Sequence, residues 1–227
     1  MKPIRIEMNR GSKLIIFLCG LLVCAVAAQG CDKSERETSD NQDNENTTPG
    51  NGYPSTGILF TSEIVIMDVE ENRLKVEGTY NFKNPSYSDW SGRIAYPIYV
   101  DQDQPAAEHV LLEGEDEPLE VRCLTPDQCL AVIFLELEAG ETRSIKLSYE
   151  QHLLKNRAVY LLTTAQSWDR PLEKAELVVK IDRNFENVQI SYTPDREEME
   201  GSKKVYTIER TDFIPDRELE VSWSDPG

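Results

Sequence analysis

Hydrophobic and polar residues alternate with a period of two along most of the chain after Gly57. The clearest examples are the segments 74–82, 145–149, 175–181, 188–192 and 219–223. This alternation is typical of antiparallel strands, because it places one face of a sheet on a core and the other face in water. The segments 64–67 and 130–135 are apolar at every position, which predicts strands near the centre of a sheet.

Turn-forming residues separate these predicted strands. The tripeptides Glu70-Glu71-Asn72 and Ala139-Gly140-Glu141 are predicted to connect β-hairpins. Only one segment has the signals of a helix, with Thr193 as the N-cap before Pro194 and with Gly201 at the end. We therefore expect at most one short helix.

These elements predict an all-β fold, an antiparallel β-sandwich of immunoglobulin-like topology that occupies residues 58–227. About ten short strands over roughly 170 residues are typical of such a sandwich. Two smaller sandwiches, divided near residue 156, are the alternative.

The first 30 residues have the composition of a secretory signal peptide. Four basic residues precede an apolar run of 15 residues, 14–28, and small residues follow it. The run is short for a membrane-spanning helix, which needs about 20 apolar residues.

The tetrapeptide Ala28-Gln29-Gly30-Cys31 resembles the lipobox of bacterial lipoproteins, although Ala28 stands where that family most often has Leu. The resemblance implies that the leader is cleaved before Cys31, that Cys31 carries a diacylglyceryl group, and that a further acyl chain such as palmitate modifies the new N-terminus. Two or three acyl chains hold a protein stably on a bilayer. Cleavage after Ala25-Val26-Ala27, or a leader that is retained as an anchor, are the alternatives.

Residues 31–57 contain the Cys and a segment dominated by Asp, Glu, Asn, Ser, Thr, Gly and Pro. Such a segment cannot bury enough apolar surface to offset the entropy of ordering. It is predicted to be a disordered acidic tether.

The chain is strongly acidic, with 24 Lys and Arg against 41 Asp and Glu and a formal net charge of −17. This balance excludes a typical nucleic-acid-binding protein, which needs a concentrated basic surface. Removal of residues 1–30 would leave 20 basic and 40 acidic residues, a net charge of −20. Anionic headgroups would not attract such a chain, so its contact with the bilayer would depend on the acylated Cys31.

Cys123 and Cys129 flank a short segment with the turn-forming pair Pro126-Asp127. In an oxidising compartment we expect a disulfide between them, worth about 2 kcal/mol in the chain-entropy account. The order of Tyr160-Leu161-Leu162, Trp168 and Trp223 resembles that of uncharacterised exported bacterial β-sandwich domains.

No catalytic, cofactor-binding or metal-binding motif is present in the sequence. His109 and His152 have no nucleophile placed beside them by any motif. The acidic loops leave two alternatives open. Carboxylates such as Asp101 or Glu115 could serve a hydrolase, and the loops at 101–103 and 113–117 could bind calcium.

The segment 84–92 is the candidate binding loop, because Tyr87 and Trp90 flank Asp89 there. Tyr and Trp often anchor contacts with proteins or glycans. The interpretation that we favour is that these rings cover the open end of the core.

We therefore expect a non-catalytic lipoprotein of the bacterial cell envelope, held on the periplasmic or the surface face of a membrane. Its sandwich would bind or scaffold an unknown envelope protein or glycan, and no cofactor is expected. An envelope hydrolase and a calcium-dependent adhesion module are the alternative functions.

Overall fold

The computed structural model describes residues 14–15, 57–168 and 170–225. Cys31 and residues 32–56 of the predicted tether lie outside the described residues, as does the predicted signal peptide apart from Leu14–Ile15.

The described part of the chain contains fifteen strands and one short 3₁₀ helix. The strands are β1 (Leu14–Ile15), β2 (Leu59–Glu70), β3 (Arg73–Lys83), β4 (Trp90–Ile98), β5 (His109–Leu112), β6 (Leu119–Glu120), β7 (Arg122–Thr125), β8 (Gln128–Leu137), β9 (Thr142–His152), β10 (Arg157–Tyr160), β11 (Leu172–Asp182), β12 (Glu186–Ile190), β13 (Arg196–Glu200), β14 (Lys203–Phe213) and β15 (Leu219–Ser224). The helix, Thr163–Trp168, follows β10. No helix in the described ranges is long and apolar enough to cross a membrane.

The strands form three sheets in a sandwich-like arrangement. The largest has eight strands in the order β13-β14-β11-β2-β3-β9-β5-β6. A four-stranded sheet, β1-β4-β8-β7, and a three-stranded sheet, β10-β15-β12, supply the other strands. Buried side chains of all three sheets pack into one hydrophobic cluster. The predicted all-β sandwich with at most one short helix is confirmed.

The alternation in the sequence explains which side chains form the core. In β11, the side chains of Ala175, Leu177, Val179 and Ile181 are buried at alternate positions. Strand direction is not encoded in this pattern. Strands β2 and β11 pair in parallel, as do β1 and β4, whereas the remaining pairs are antiparallel.

The predicted hairpin at Glu70-Glu71-Asn72 is confirmed, since β2 and β3 pair. The prediction of a hairpin at Ala139-Gly140-Glu141 was wrong: this turn carries the chain from β8 in the four-stranded sheet to β9 in the eight-stranded sheet, and the two strands do not pair. β2 ends at Glu70 and β3 begins at Arg73, and the turn between β8 and β9 contains Gly140 with a φ of +74°. The strands predicted to be central, β2 and β8, have a neighbour on each side. Their outer faces are nevertheless partly open, since the side chain of Phe134 is exposed.

The helix predicted between Pro194 and Gly201 was wrong. This segment contains strand β13, which pairs with β14 at the edge of the large sheet, and Gly201 turns the chain between them with a φ of +61°. All five side chains of β13 are exposed. With no apolar stripe to bury, the segment gains more from backbone hydrogen bonds to β14 than from a helix. The helix lies instead at Thr163–Trp168, where it buries Ala165 and Trp168.

The predicted disulfide is present between Cys123 and Cys129. The two residues face each other in the pairing of β7 with β8. All side chains of β7 are exposed, whereas Cys129 is buried. The disulfide therefore fastens an edge strand with no buried side chains of its own to the core.

Candidate functional site

The candidate loop at 84–92 is organised by the buried side chain of Asn84. Its amide nitrogen donates hydrogen bonds to the carbonyl oxygens of Ser88 (2.8 Å) and Glu138 (3.0 Å), and its Oδ1 accepts one from the backbone N–H of Ser86 (3.0 Å). The loop is thus tied to the β8–β9 turn.

The three residues singled out in this loop have different surroundings. Asp89 accepts a hydrogen bond from the backbone N–H of Ala139 at 3.0 Å. Trp90 packs against the core, and its ring lies over Gly92, where a Cβ atom would come within 2.5 Å of it. The side chain of Tyr87 is 97% exposed. Of the two aromatic rings in the loop, only that of Tyr87 is therefore fully presented to solvent, beside the exposed Asp89.

The acidic loop at 101–103 is held by the protein's own cations. Asp101 accepts hydrogen bonds from Tyr99 (2.8 Å) and Arg157 (2.9 Å), and Asp103 pairs with Lys155 at 2.9 Å. Burial alone would raise the pKa of Asp101, but the bonds from Tyr99, two backbone amides and Arg157 lower it overall. The carboxylate is therefore engaged in fixing the loop.

The remaining candidate acids and histidines are exposed. Glu115 lies on the surface after β5, and Glu113 pairs with Lys146 at 3.1 Å. His109 and His152 line one open groove on the outer face of the large sheet. Within the ranges that the structure describes, no group of three or more His, Cys, Asp or Glu side chains could hold a metal ion.

A different residue, Glu63, lies in the interior of the sandwich. It belongs to β2, whose register shifts between Phe60 and Ser62. Beyond this bulge Glu63 shares the inner face with Val65, and its side chain is 3% exposed. A bulge re-aims the side chains that follow it, so it brings a carboxyl group to a position on the core side of the strand.

The neighbours of Glu63 on the sheet are Tyr80 of β3 and Ala175 of β11. The Tyr80 hydroxyl is hydrogen-bonded to the Tyr96 hydroxyl at 2.8 Å and to the Tyr160 hydroxyl at 2.9 Å. These three tyrosines lie on β3, β4 and β10, one from each sheet. The hydroxyl cluster therefore joins the three sheets next to Glu63.

Gly78 determines where Tyr80 can lie. Both residues face inward, and a Cβ atom at Gly78 would stand 2.0 Å from the Tyr80 hydroxyl oxygen. The tyrosine ring therefore folds back over the glycine, which is an arrangement that compensates for a glycine within a strand. Without a glycine at this position, the ring could not reach its two hydroxyl partners.

A cavity of about 50 Å³ lies beside Glu63. Six aromatic residues line it, namely Phe60, Tyr80, Phe82, Tyr96, Tyr160 and Trp168. Most of the other lining residues are aliphatic, among them Ile94, Ile133, Ile145, Leu147, Leu162 and Ala165. Pro97, Leu161 and Thr164 also line it and are partly exposed. The cavity therefore reaches towards the surface between β4 and the segment after β10.

The carboxyl group of Glu63 has an unusual electrostatic environment. Its Oε1 atom is buried and has no hydrogen-bond partner among the described residues, and no Lys, Arg or His of those residues lines the cavity. Desolvation raises the pKa of Glu63 from 4.5 to about 8. The group is therefore a neutral acid at neutral pH.

The same burial raises the pKa of each cluster tyrosine. Desolvation is the largest cause for Tyr80, Tyr96 and Tyr160, and a negative charge on Glu63 adds to the effect at all three. The carboxyl is thus close enough to interact with every hydroxyl of the cluster. All three hydroxyls remain protonated over the accessible pH range.

Other buried polar side chains show by contrast how unusual Glu63 is. Gln104 donates to the side chain of Gln151 (2.9 Å) and to the Val159 carbonyl (2.8 Å), and accepts from the Val159 N–H (2.8 Å). Trp223 Nε1 also has no partner in the described ranges. Since an unsatisfied buried polar group costs stability, Glu63 marks this cavity as the candidate binding site.

Sequence reasoning missed Glu63. The run Ile64–Met67 is apolar at both even and odd positions, so it does not indicate which face of β2 is buried. Two signals could have indicated that Glu63 is buried. It lies at alternate positions with Val65 and Met67, and in the predicted β2–β3 hairpin it lies opposite Tyr80.

Comparisons with known proteins place the fold among solved structures. A candidate nutrient-binding protein of Legionella pneumophila superimposes with a TM-score of 0.53 at 14% sequence identity, over 76% of this chain and 68% of that chain. An M1 zinc metallopeptidase of Deinococcus radiodurans gives a TM-score of 0.41 at 14% identity, over 75% of this chain and 43% of that chain. The first likeness shows the fold alone. No curated protein matches the chain.

One family of sequences matches the chain, over residues 100–222. It is described as a domain of unknown function, DUF4424. The matched segment contains Tyr160 and Trp168 of the cavity, whereas Glu63, Tyr80 and Tyr96 lie before it.

Proposed function

This chain belongs to the DUF4424 family, and we propose that it is a lipid-anchored protein of the bacterial cell envelope whose β-sandwich binds a small ligand without catalysis. The proposed ligand site is the cavity beside Glu63. In this proposal the acylated Cys31 holds the protein on a membrane, and residues 32–56 separate the sandwich from the bilayer.

One observation carries the binding role. Glu63 is a buried carboxyl group with an unpartnered oxygen, in a cavity that reaches towards the surface. Such a group costs folding free energy, and residues that weaken a fold in this way are concentrated at functional sites. A bound ligand would supply the missing hydrogen-bond partner. The fold shared with a candidate nutrient-binding protein is consistent with this role.

Two features of the chain, a lipobox-like tetrapeptide and a disulfide, support a location in the envelope. The residues Ala28-Gln29-Gly30-Cys31 resemble a lipobox. The disulfide Cys123–Cys129 is of the kind that forms and persists in exported proteins.

The absence of catalysis is inferred from the residues around Glu63. Among the described residues that line the cavity there is no second carboxylate, His, Cys or Ser. Hydrolysis by paired carboxylates needs two acids flanking one bond. A single neutral acid can donate a hydrogen bond to a ligand, and the only other side-chain oxygens among the described lining residues are the hydroxyls of Thr164 and the three tyrosines.

Lipid anchoring is tested by the intact mass of the protein extracted from membranes. We expect the wild-type chain to begin at Cys31 and to carry acyl groups, and the Cys31→Ala variant to lack them. An unmodified chain that begins near Ala28 would contradict the lipid anchor and indicate a soluble exported protein.

Ligand binding is tested by thermal unfolding with small probes, namely methanol, acetamide, formate and methylammonium. We expect at least one probe to raise the melting temperature saturably, because a ligand bound only to the native state stabilises it. The Ala165→Leu variant fills the cavity and should abolish this effect. If no probe stabilises the wild type, or if Ala165→Leu responds equally, the cavity is not a ligand site.

A further inference from the structure

The walls of the cavity suit a cation. Six aromatic side chains line it, and several are in direct contact: the ring centroids of Phe60 and Phe82 are 5.2 Å apart, and each lies within 5.6 Å of the Trp168 centroid. Aromatic rings attract cations to their faces, and desolvation strengthens the attraction. A cluster of rings around one carboxyl group combines the two features that recognise ammonium ions.

Among the described residues, the cavity has no basic side chain that could pair with an ionised Glu63. Other partly buried acids have one: Asp68 pairs with Lys203 at 2.6 Å, and Asp101 pairs with Arg157 at 2.9 Å. None of the described residues that line the cavity is basic. A cation for Glu63 would therefore have to come from outside the protein.

The dimensions of the cavity limit the ligand. A volume of about 50 Å³ exceeds the space of a single water molecule but is far below the roughly 300 Å³ of a typical small-molecule pocket. It admits a nitrogen with one or two attached carbons. The net charge of −17 favours the approach of cations over that of anions.

We propose that the cavity binds a small primary alkylammonium ion, with the ammonium group on Glu63 and the tyrosine hydroxyl oxygens and the alkyl group against the aromatic rings. This inference rests on the proposed function, since it names the ligand class of the same site. The Glu63 carboxylate is the counter-ion in the complex.

Binding at neutral pH has a consequence for protons. Glu63 is a neutral acid in the free protein, whereas a bound ammonium ion favours the carboxylate. Tyr80 of β3, Tyr96 of β4 and Tyr160 of β10 face this group from the elements packed around it, and they stay protonated. One proton therefore leaves Glu63 for solvent as each ammonium ion binds.

The experiment is calorimetric titration of the full-length protein in detergent with methylammonium and, separately, with acetamide, which is a neutral probe of similar size. Titrations at pH 7 in two buffers of different ionisation enthalpy give the number of protons released. The variant is Glu63→Gln. The matched control is Glu71→Gln, an exposed acid in the turn after the same strand.

We expect methylammonium to bind the wild type and Glu71→Gln equally, with release of about one proton, and to bind Glu63→Gln roughly 10- to 100-fold more weakly because a charged hydrogen bond is lost. Equal affinity of Glu63→Gln would overturn the proposal. Binding of acetamide without methylammonium would refute the ligand class and leave the proposed function standing. If neither probe binds, and no probe of the thermal series does, both proposals fail.

Discussion

The buried carboxyl of Glu63 makes the stability of the protein depend on pH in a direction opposite to that of an ordinary ion-paired acid. In the folded state its pKa is about 8, whereas in the unfolded chain it has the ordinary value of 4.5. Below pH 4.5 the group is neutral in both states, so its ionisation does not change the free energy of unfolding. As the pH rises from 4.5 to 8, the unfolded chain releases this proton and the folded chain keeps it. Stability is therefore lost across this interval and is constant above it.

The size of the effect follows from the difference between the two pKa values. Each pKa unit corresponds to about 1.4 kcal/mol, so the shift from 4.5 to about 8 amounts to roughly 5 kcal/mol at most. Glu63→Gln keeps the shape of the side chain and removes its ionisation. We expect the variant to gain up to that amount relative to the wild type between pH 4.5 and pH 8, on top of a constant offset from the buried amide.

The assay is urea unfolding of the wild type, Glu63→Gln and Glu71→Gln, followed by tryptophan fluorescence at several pH values from 4.5 to 8.5. Glu71 is exposed, so its substitution should leave the pH dependence of the wild type unchanged. A constant free-energy difference between the wild type and Glu63→Gln over this range would refute the reasoning, because it would mean that Glu63 ionises in the folded state as readily as in water.

Three further predictions concern the elements around the cavity and the candidate loop. Gly78→Ala should destabilise the fold by roughly 1–3 kcal/mol, because its Cβ would overlap the Tyr80 hydroxyl. In urea unfolding, adding Tyr80→Leu should recover part of this loss, and an unchanged loss would contradict the overlap as its cause. Replacing both Cys123 and Cys129 by Ala should cost about 2 kcal/mol and should make the melting temperature insensitive to reductant, unlike that of the wild type. Asn84→Ala should lower the free energy of unfolding by about 2 kcal/mol, since it leaves buried carbonyl groups without donors. It should also speed amide hydrogen exchange in the 84–89 loop, and unchanged exchange would show that Asn84 does not organise this loop.

The sequence was sufficient to predict the long strands, the β2–β3 hairpin, the turn at Gly140 and the disulfide, because each depends on local chemistry. It did not show that the turn at Gly140 leads from one sheet to another, because that depends on distant strands. The alternation in β3 and β11 specifies one buried face, and Gly140 supplies the positive φ that its turn requires. The parallel pairing of β2 with β11 was not predictable in this way, because the period of two is the same for either direction. The helical signals at Pro194 failed because the edge of the large sheet offered that segment hydrogen-bond partners.

The cavity could not be predicted because it depends on relations between distant elements. Its acid comes from β2, and its hydroxyls come from β3, β4 and β10, which meet only after all three sheets have assembled. The bulge between Phe60 and Ser62 puts Phe60 and Glu63, which are three residues apart, on the same inner face, and a period of two does not predict this. In the sequence, these residues look like one acid among 41 and three tyrosines among nine.

The position of the cavity also determines how a ligand would act on the fold. The Tyr80 hydroxyl accepts or donates the hydrogen bonds that tie β4 and β10 to the large sheet. A negative charge on Glu63 raises the pKa of all three tyrosines, so an ionised carboxyl group would act on every member of the cluster. In the proposed complex, ionisation of Glu63 would therefore change the electrostatic environment of the hydroxyl bonds. If the cavity binds a cation as proposed, its occupancy would act on the hydroxyl bonds that join the three sheets.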